Sequence, residues 1–408
     1  MKVFIVALGS FGDVNPFICL AKELQRRDHD VVLLVSAEAI AKVKRNGITA
    51  HPIMTQEQYD KWRNMPRSDD PDDENGKALL HMALPAVDET IKYVWQNFKP
   101  GKSLGITMTM QGLGLKFLEL RLSLPVIRVD LAPRDWHGDD ADEAARKFNE
   151  HFAEPFDKLG HALGLGKNQK GWYQTLITDK YTVGLYPKWF VNQANERIAS
   201  DANLEESHFL FDADDDNQPL PDQLIEFLNQ GDAPLAVTFG TYASTDDNLY
   251  RTVVEACGRL GKRAVLITKY PQQLPNPLPD YCLHVEYVNL KLLFPRLSCI
   301  IHHGGVGTSA QAFRAGLPQL ICPMAFDQFF NADSIEILGC GSQIKVTDFN
   351  PDGLAASLSA LLNNQNIKTQ AQQQMACFPK YNPAIWSCDL IEKYAQRLGV
   401  LGSVDPCR

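Results

Sequence analysis

A histidine pair runs directly into a glycine-rich turn at Ile300-Ile301-His302-His303-Gly304-Gly305-Val306-Gly307-Thr308. The apolar run reads as a strand and the residues after the glycines as a helix. Such a turn aims backbone N–H groups and a helix N-terminus at one spot, which suits an anion and above all a phosphate. Glycines let the backbone approach the ligand, and a histidine adds a hydrogen bond or a charge. The same glycines would also serve a plain strand-to-helix turn, so this motif does not decide alone. Three further turns follow the carboxyl ends of predicted strands: Gly9 to Asn15, Gly240 to Ser244 and Pro323 to Asn331. Their convergence on one cleft strengthens the phosphate reading.

Other arrangements carry less chemistry. Asp70-Pro71-Asp72 and Asp212-Ala213-Asp214 have the spacing of a metal-binding acidic pair, but each lies in an acidic loop with no strand before it and reads as a solvated run. His137, His151 and His161 are too widely spaced to imply zinc. Ser244, the histidines and Asp130 do not compose a nucleophile, base and orienter. The opening turn lacks G-x-G-x-x-G, so a nicotinamide or flavin dinucleotide site is not supported.

The elements that must position these turns alternate regularly. Lys2 to Leu8 reads as a buried strand, Phe17, Leu20, Ala21 and Leu24 as one helical face with Pro16 in its first turn, and Asp30 to Ser36 as the next strand. A β-α-β opening implies a right-handed crossover and a parallel sheet. Strands are expected again at 103–110, 125–131 and 181–186. After an acidic, proline-containing stretch the pattern restarts, with strands at 235–239, 263–268, 284–287, 299–302 and 319–322. The expectation is an α/β chain of two domains in tandem. Residues 1–208 form the first and 209–222 the linker; residues 223–382 form the second, and the helix in 383–408 returns to the first.

Composition narrows the class. At 408 residues the chain exceeds one ordinary domain. The 45% hydrophobic and 22% charged content is that of a globular protein, and the net charge of −9 gives no footprint for nucleic acid or a polybasic anchor. No apolar run is long enough to span a bilayer, and Val3 to Leu8 is too short for a signal peptide. The nine scattered cysteines have no Cys-x-x-Cys and favour a reducing, cytoplasmic setting.

Taken together, His303-Gly304-Gly305-Val306-Gly307-Thr308, then Ala315-Gly316-Leu317-Pro318, then Pro323 with Asp327-Gln328 and Asn331-Ala332, resemble the donor signature of the UDP-glycosyltransferase superfamily. The opening Gly9-Ser10-Phe11-Gly12-Asp13-Val14, with Pro16-Phe17, is similar to the start of its bacterial and sterol-glycosylating branches, including rhamnosyltransferases and enzymes acting on antibiotic aglycones. The resemblance spans nearly the whole chain in order and spacing. It implies the GT-B fold, two Rossmann-like domains facing across a cleft. It also implies inverting transfer from a nucleoside diphosphate sugar without a metal or cofactor.

The resemblance assigns roles residue by residue. His303 matches the histidine on the donor diphosphate, with Gly305 and the N–H groups of Val306, Gly307 and Thr308 completing the cradle. His302 is expected to point the other way as a core histidine. Asp327 and Gln328 match the pair that bonds the sugar hydroxyls. Gly240 and Thr241 match the first donor-domain loop, and Gly12 the facing turn. Tyr287 and Val288 match the nucleobase position. Many relatives carry a glutamate for the ribose where this chain has Gln311, which leaves UDP and dTDP both open.

Asp13 stands where plant and animal relatives carry a catalytic histidine. The chemistry asks for a base that takes the acceptor proton. A plain helix N-cap is the competing role for Asp13. Ser10 would assist by hydrogen bonding. The aromatic stretch 133–182 is the candidate acceptor pocket, with Trp136, Phe148, Phe152 and Trp172 as its apolar wall. The expected partners are a nucleotide sugar and a hydrophobic small-molecule or lipid acceptor, the latter compatible with peripheral membrane contact, and the chain is expected to be a monomer or homodimer. A nucleotide-sugar epimerase or hydrolase, or a catalytically inactive nucleotide-sugar-binding partner protein, are the alternatives on the same fold.

Overall fold

The computed structural model describes residues 1–65, 79–109, 111–133, 141–168, 170–191, 203–211, 219–240 and 248–402. The chain divides into two compact units. Of the described residues, the first holds Met1–Trp62, those in 79–211 and those from Asn382 on; the second holds 63–65 and those in 219–381.

Each unit is built on a parallel sheet. In the first the strands are β1 (Lys2–Ala7), β2 (Asp30–Ser36), β3 (Thr49–Met54), β4 (Ser103–Thr107), β5 (Val126–Asp130), β6 (Thr182–Gly184) and β7 (Leu204–Glu206). Their order is β3-β2-β1-β4-β5-β6-β7. In the second they are β8 (Leu235–Thr238), β9 (Ala264–Ile267), β10 (Cys282–Val285), β11 (Ile300–His302), β12 (Gln319–Ile321) and β13 (Gly341–Gln343), ordered β10-β9-β8-β11-β12-β13. The order reverses between β1 and β4 and again between β8 and β11. Crevices open at the carboxyl ends of strands where such a reversal occurs, and ligands bind there. The turns after β1, β8 and β11 border these two reversals.

The helices used below are α1 (Phe11–Arg26), α2 (Leu113–Leu122), α3 (Ala141–Ala162), α4 (Trp172–Ile177), α5 (Val306–Ala315), α6 (Gln328–Ile337) and α7 (Pro383–Arg397). The central strand β1 is a near-continuous apolar run because both sheet faces are covered; Val3 to Leu8 are all essentially inaccessible. The last helix, α7, packs against α1. Arg27 there donates to Asp389 at 2.7 Å and to Glu392 at 2.6 Å, and Tyr394 stacks on Tyr181 with centroids 4.3 Å apart.

Some expectations are corrected. Helix α1 begins at Phe11, so Pro16 lies inside it rather than at its start. At that position its missing N–H removes the intrahelical bond to the Gly12 carbonyl one turn back. Strands β3, β7 and β13 and the helices Pro351–Asn363 and Gln365–Met375 were not anticipated. The three strands are short sheet edges with partial exposure, and β3 contains Pro52, which a central strand would not accept. Of the acidic stretch 209–222, residues 212–218 lie outside the described residues, as do residues 69–74. Leu220 already packs in the core of the second unit, and Asp222 opens a helix.

Candidate active site

The first turn is closed by a capping box. Ser10 is the N-cap of α1 and accepts the Gly12 N–H at 3.2 Å. Asp13, three positions on, reaches back: its Oδ2 accepts the Ser10 N–H at 2.8 Å and the Ser10 hydroxyl at 2.9 Å. Such a pairing satisfies donors that a helix start otherwise leaves open. Asp13 is therefore not the N-cap itself; Ser10 holds that position. The carboxylate is half-buried and held in one orientation. Gly9, at φ +105°, makes room for it, because a Cβ there would lie 2.5 Å from Oδ2. Across the reversal, Gln111 on the turn after β4 accepts the Leu8 N–H at 3.0 Å and ties the two strand ends together.

In the second unit the histidines separate as strand alternation requires. His302 is inaccessible, its Nε2 3.0 Å from Gln319 Oε1 on β12 and its Nδ1 accepting the Gly304 N–H at 3.1 Å. An Nδ1 that accepts leaves the proton on Nε2, which then donates to Gln319. Burial pushes the His302 imidazole down to about 3, so it is neutral. His303 turns the other way. Its ring lies between two glycines: a Cβ on Gly240 would come within 2.9 Å of its Cε1, and one on Gly305 within 2.5 Å of its Nε2. Burial also lowers the pKa of His303, while the Asp327 carboxylate and the Thr238 backbone pull it up. Its Nδ1 has no hydrogen-bond partner among the described residues.

Gly305 is the N-cap of α5 and supplies no side chain to the cap. The first N–H groups of that helix, those of Val306, Gly307 and Thr308, have no intrahelical acceptor. A Cβ on Gly307 would meet nothing within 4 Å, so the space beside this helix start is open. Gly304, at φ +92°, makes the bend that brings His303 and the helix start together.

The loop after β12 presents the remaining polar groups. Phe326 adopts the left-handed region at φ +57°, a conformation an aromatic residue rarely takes, and Asp327 follows it at the start of α6. Gln328 is buried, and its Oε1 accepts the N–H groups of Met324 at 2.9 Å and Ala325 at 3.1 Å. With that oxygen engaged by the loop, a ligand contact from Gln328 falls to its amide nitrogen. Asn331, one helical turn beyond Asp327, donates from Nδ2 to Asp327 Oδ2 and to the Gly304 carbonyl, both at 2.8 Å. Sequence reasoning placed Asn331 in the motif without a role; its spacing of four from Asp327 was the signal. Gln311, on α5, has its Oε1 buried with no partner among the described residues. Tyr287 is 54% exposed beyond β10, and Val288 is buried. Thr241 lies outside the described residues.

The aromatic stretch packs largely in the core of the first unit. Phe148 and Phe152 on α3 and Trp172 on α4 are buried in the core of the first unit. Phe148, Phe152 and Phe156 recur at helical spacing and form one stripe. Phe117 of α2 stacks against Trp172 at 4.9 Å, and Trp172 Nε1 donates to Asp157 at 2.7 Å. Aromatic residues at that spacing seal a helix onto the core. Trp136 lies outside the described residues. Among the described residues no group of three or more His, Cys, Asp or Glu side chains is placed to hold a metal, and no helix is long and apolar enough to cross a membrane.

Comparisons with known proteins match both halves in order. Residues 3–100 match the glycosyltransferase family 28 N-terminal domain, and residues 251–383 match the erythromycin biosynthesis protein CIII-like C-terminal domain. The chain is a glycosyltransferase of the UDP-glycosyltransferase superfamily. The glycosyltransferase GtfC of Amycolatopsis orientalis is 26% identical to it over 89% of this chain and 90% of that protein. A sterol 3-beta-glucosyltransferase of Kluyveromyces lactis is 24% identical over 91% of this chain and 33% of that larger protein. Among solved structures, the glycosyltransferase VinC in complex with dTDP superposes with a TM-score of 0.70, covering 97% of this chain and all of that one at 22% identity. The two parallel sheets of this glycosyltransferase are thus those of the GT-B fold.

Proposed function

We propose that this glycosyltransferase moves a hexose from a UDP- or dTDP-sugar to a hydroxyl of a hydrophobic acceptor, with inversion and without a metal or cofactor. The observation that carries the reading is the uncapped start of α5 beside His303. Three orphan N–H groups, the positive end of a helix and a histidine form a cradle for a diphosphate. Asp327 and the Gln328 amide then meet the sugar hydroxyls, and Tyr287 offers a face to the base. The solved relative described with dTDP supports this class of donor.

In the proposed step the acceptor oxygen attacks the anomeric carbon and the bond from that carbon to the diphosphate oxygen breaks. The acceptor proton passes to Asp13, and the nucleoside diphosphate leaves as an anion held by the α5 start and His303. A single displacement inverts the anomeric centre. The two Ser10 donors fix the Asp13 carboxylate before the acceptor arrives, and such fixed orientation supplies much of catalysis. Stabilising the departing charge supplies most of the remainder. The test is transfer from dTDP- and UDP-glucose to a panel of aglycones and sterols. Asp13→Asn is expected to lower kcat by about 10²- to 10⁴-fold, the usual contribution of a general base, and His303→Ala to weaken donor binding. Wild-type transfer rates in both variants would overturn the mechanism.

A further inference from the structure

Asn331 ties the Gly304 turn to the start of α6. Its amide nitrogen has two hydrogens and meets two acceptors, the Gly304 carbonyl and Asp327 Oδ2, each at 2.8 Å. Reversing the amide would set Oδ1 against a carbonyl and a carboxylate, so the acceptors fix its orientation. Asn331 is inaccessible, and so is His302, which holds the N–H of the same Gly304 from the opposite side. The peptide units flanking Gly304 are therefore gripped at both ends, and one grip runs directly to Asp327.

We infer that Asn331 is a positioning residue that makes the sugar contact and the diphosphate contact of the donor mutually dependent. The inference rests on the proposed donor site. Asp327 is placed to touch the sugar, and the Gly304 turn sets His303 and the α5 start for the diphosphate. With one amide joining them, a displacement of either loop is felt by the other. Asp327 so influences binding of a nucleoside diphosphate that it never touches.

The experiment is a double-mutant cycle of Asp327→Ala and Asn331→Ala, read by calorimetric titration with dTDP and UDP, neither of which carries a sugar. Asp327→Ala is expected to weaken the preferred nucleotide by about threefold to tenfold, a typical coupling between neighbouring groups. The same change made in the Asn331→Ala background is expected to have no further effect. The Asp327 charge also acts on His303 directly, so the single Asp327→Ala variant does not carry the test; if Asn331→Ala fails to fold, Asn331→Ser takes its place in the cycle. Nucleotide binding that needs His303 but ignores Asp327→Ala overturns the clasp and leaves the donor site standing. Failure of the wild-type protein to bind either nucleotide overturns the donor site and the clasp with it.

Discussion

The Asp13 carboxylate lies over Gly9 so closely that a single methyl group there would stand 2.5 Å from its Oδ2. Gly9 also sits at φ +105°, where an alanine is strained. Gly9→Ala is therefore expected to displace the carboxylate without touching the second unit. A misplacement of about 1 Å can cost about a hundredfold in rate. The expected result is a kcat lowered by about that factor with dTDP affinity unchanged, measured by steady-state transfer and titration. An unchanged kcat in a folded variant would mean that Asp13 is not the base.

His303 is held in place by the absence of side chains on its neighbours. Gly305 has φ −60°, so alanine is conformationally acceptable there, and only its collision with the ring matters. Gly305→Ala should leave the thermal midpoint nearly unaltered. It should weaken nucleoside diphosphate binding by about tenfold or more, since a hydrogen bond to a charged group is worth roughly 1.5–3 kcal/mol. Binding at wild-type strength would show that His303 does not meet the diphosphate.

The neutral His302 makes stability depend on pH. In the unfolded chain the imidazole takes up a proton near its ordinary value, whereas in the folded protein it resists protonation down to about 3. The unfolded state thus binds more protons between pH 6.5 and 3, and stability falls as pH falls through that window. One group contributes a slope of up to about 1.4 kcal/mol per pH unit. His302→Asn, whose oxygen can still accept the Gly304 N–H, should flatten the curve while keeping nucleotide affinity. His302→Leu removes the acceptor, strands Gln319 and should cost about 1–3 kcal/mol at neutral pH, the desolvation penalty of an unpaired group. Denaturant titrations across pH 4 to 7 separate the two.

Gln311 presents a buried amide oxygen without a partner among the described residues, on the helix whose start is the proposed phosphate cradle. A neutral acceptor suits a single sugar hydroxyl. Gln311→Glu adds the charge that would hold both hydroxyls of a ribose, so it is expected to raise the affinity for UDP relative to dTDP by several-fold. A ratio that does not move would remove Gln311 from the nucleoside site.

Much of this was legible from residue order. The apolar runs at Lys2 to Leu8 and Ile300 to His302 gave buried parallel strands because both of their faces are covered. The opposed directions of His302 and His303 followed from strand alternation alone. The start of α1 was misread because Pro16 suggests a first turn, while the Ser10–Asp13 pair closes the helix earlier. The aromatic stretch supports two readings. Phe148, Phe152 and Phe156 are spaced for one helical face, and that spacing marks a core stripe as readily as a pocket. Asn331 stayed without a role because one of its two acceptors, the Gly304 carbonyl, comes from a different loop that sequence spacing does not bring to it.

The packing of α7 on α1 sets an order of assembly. Leu20 receives the thiol of Cys388, and Arg27 its two carboxylates, from the end of the chain. Helix α1 is synthesised before α7, so its outer face waits for that cover while the second unit is made. A nascent chain halted at Tyr381 would have every strand of both sheets and still lack the cover of its first helix. The unit that begins folding first is the one completed last.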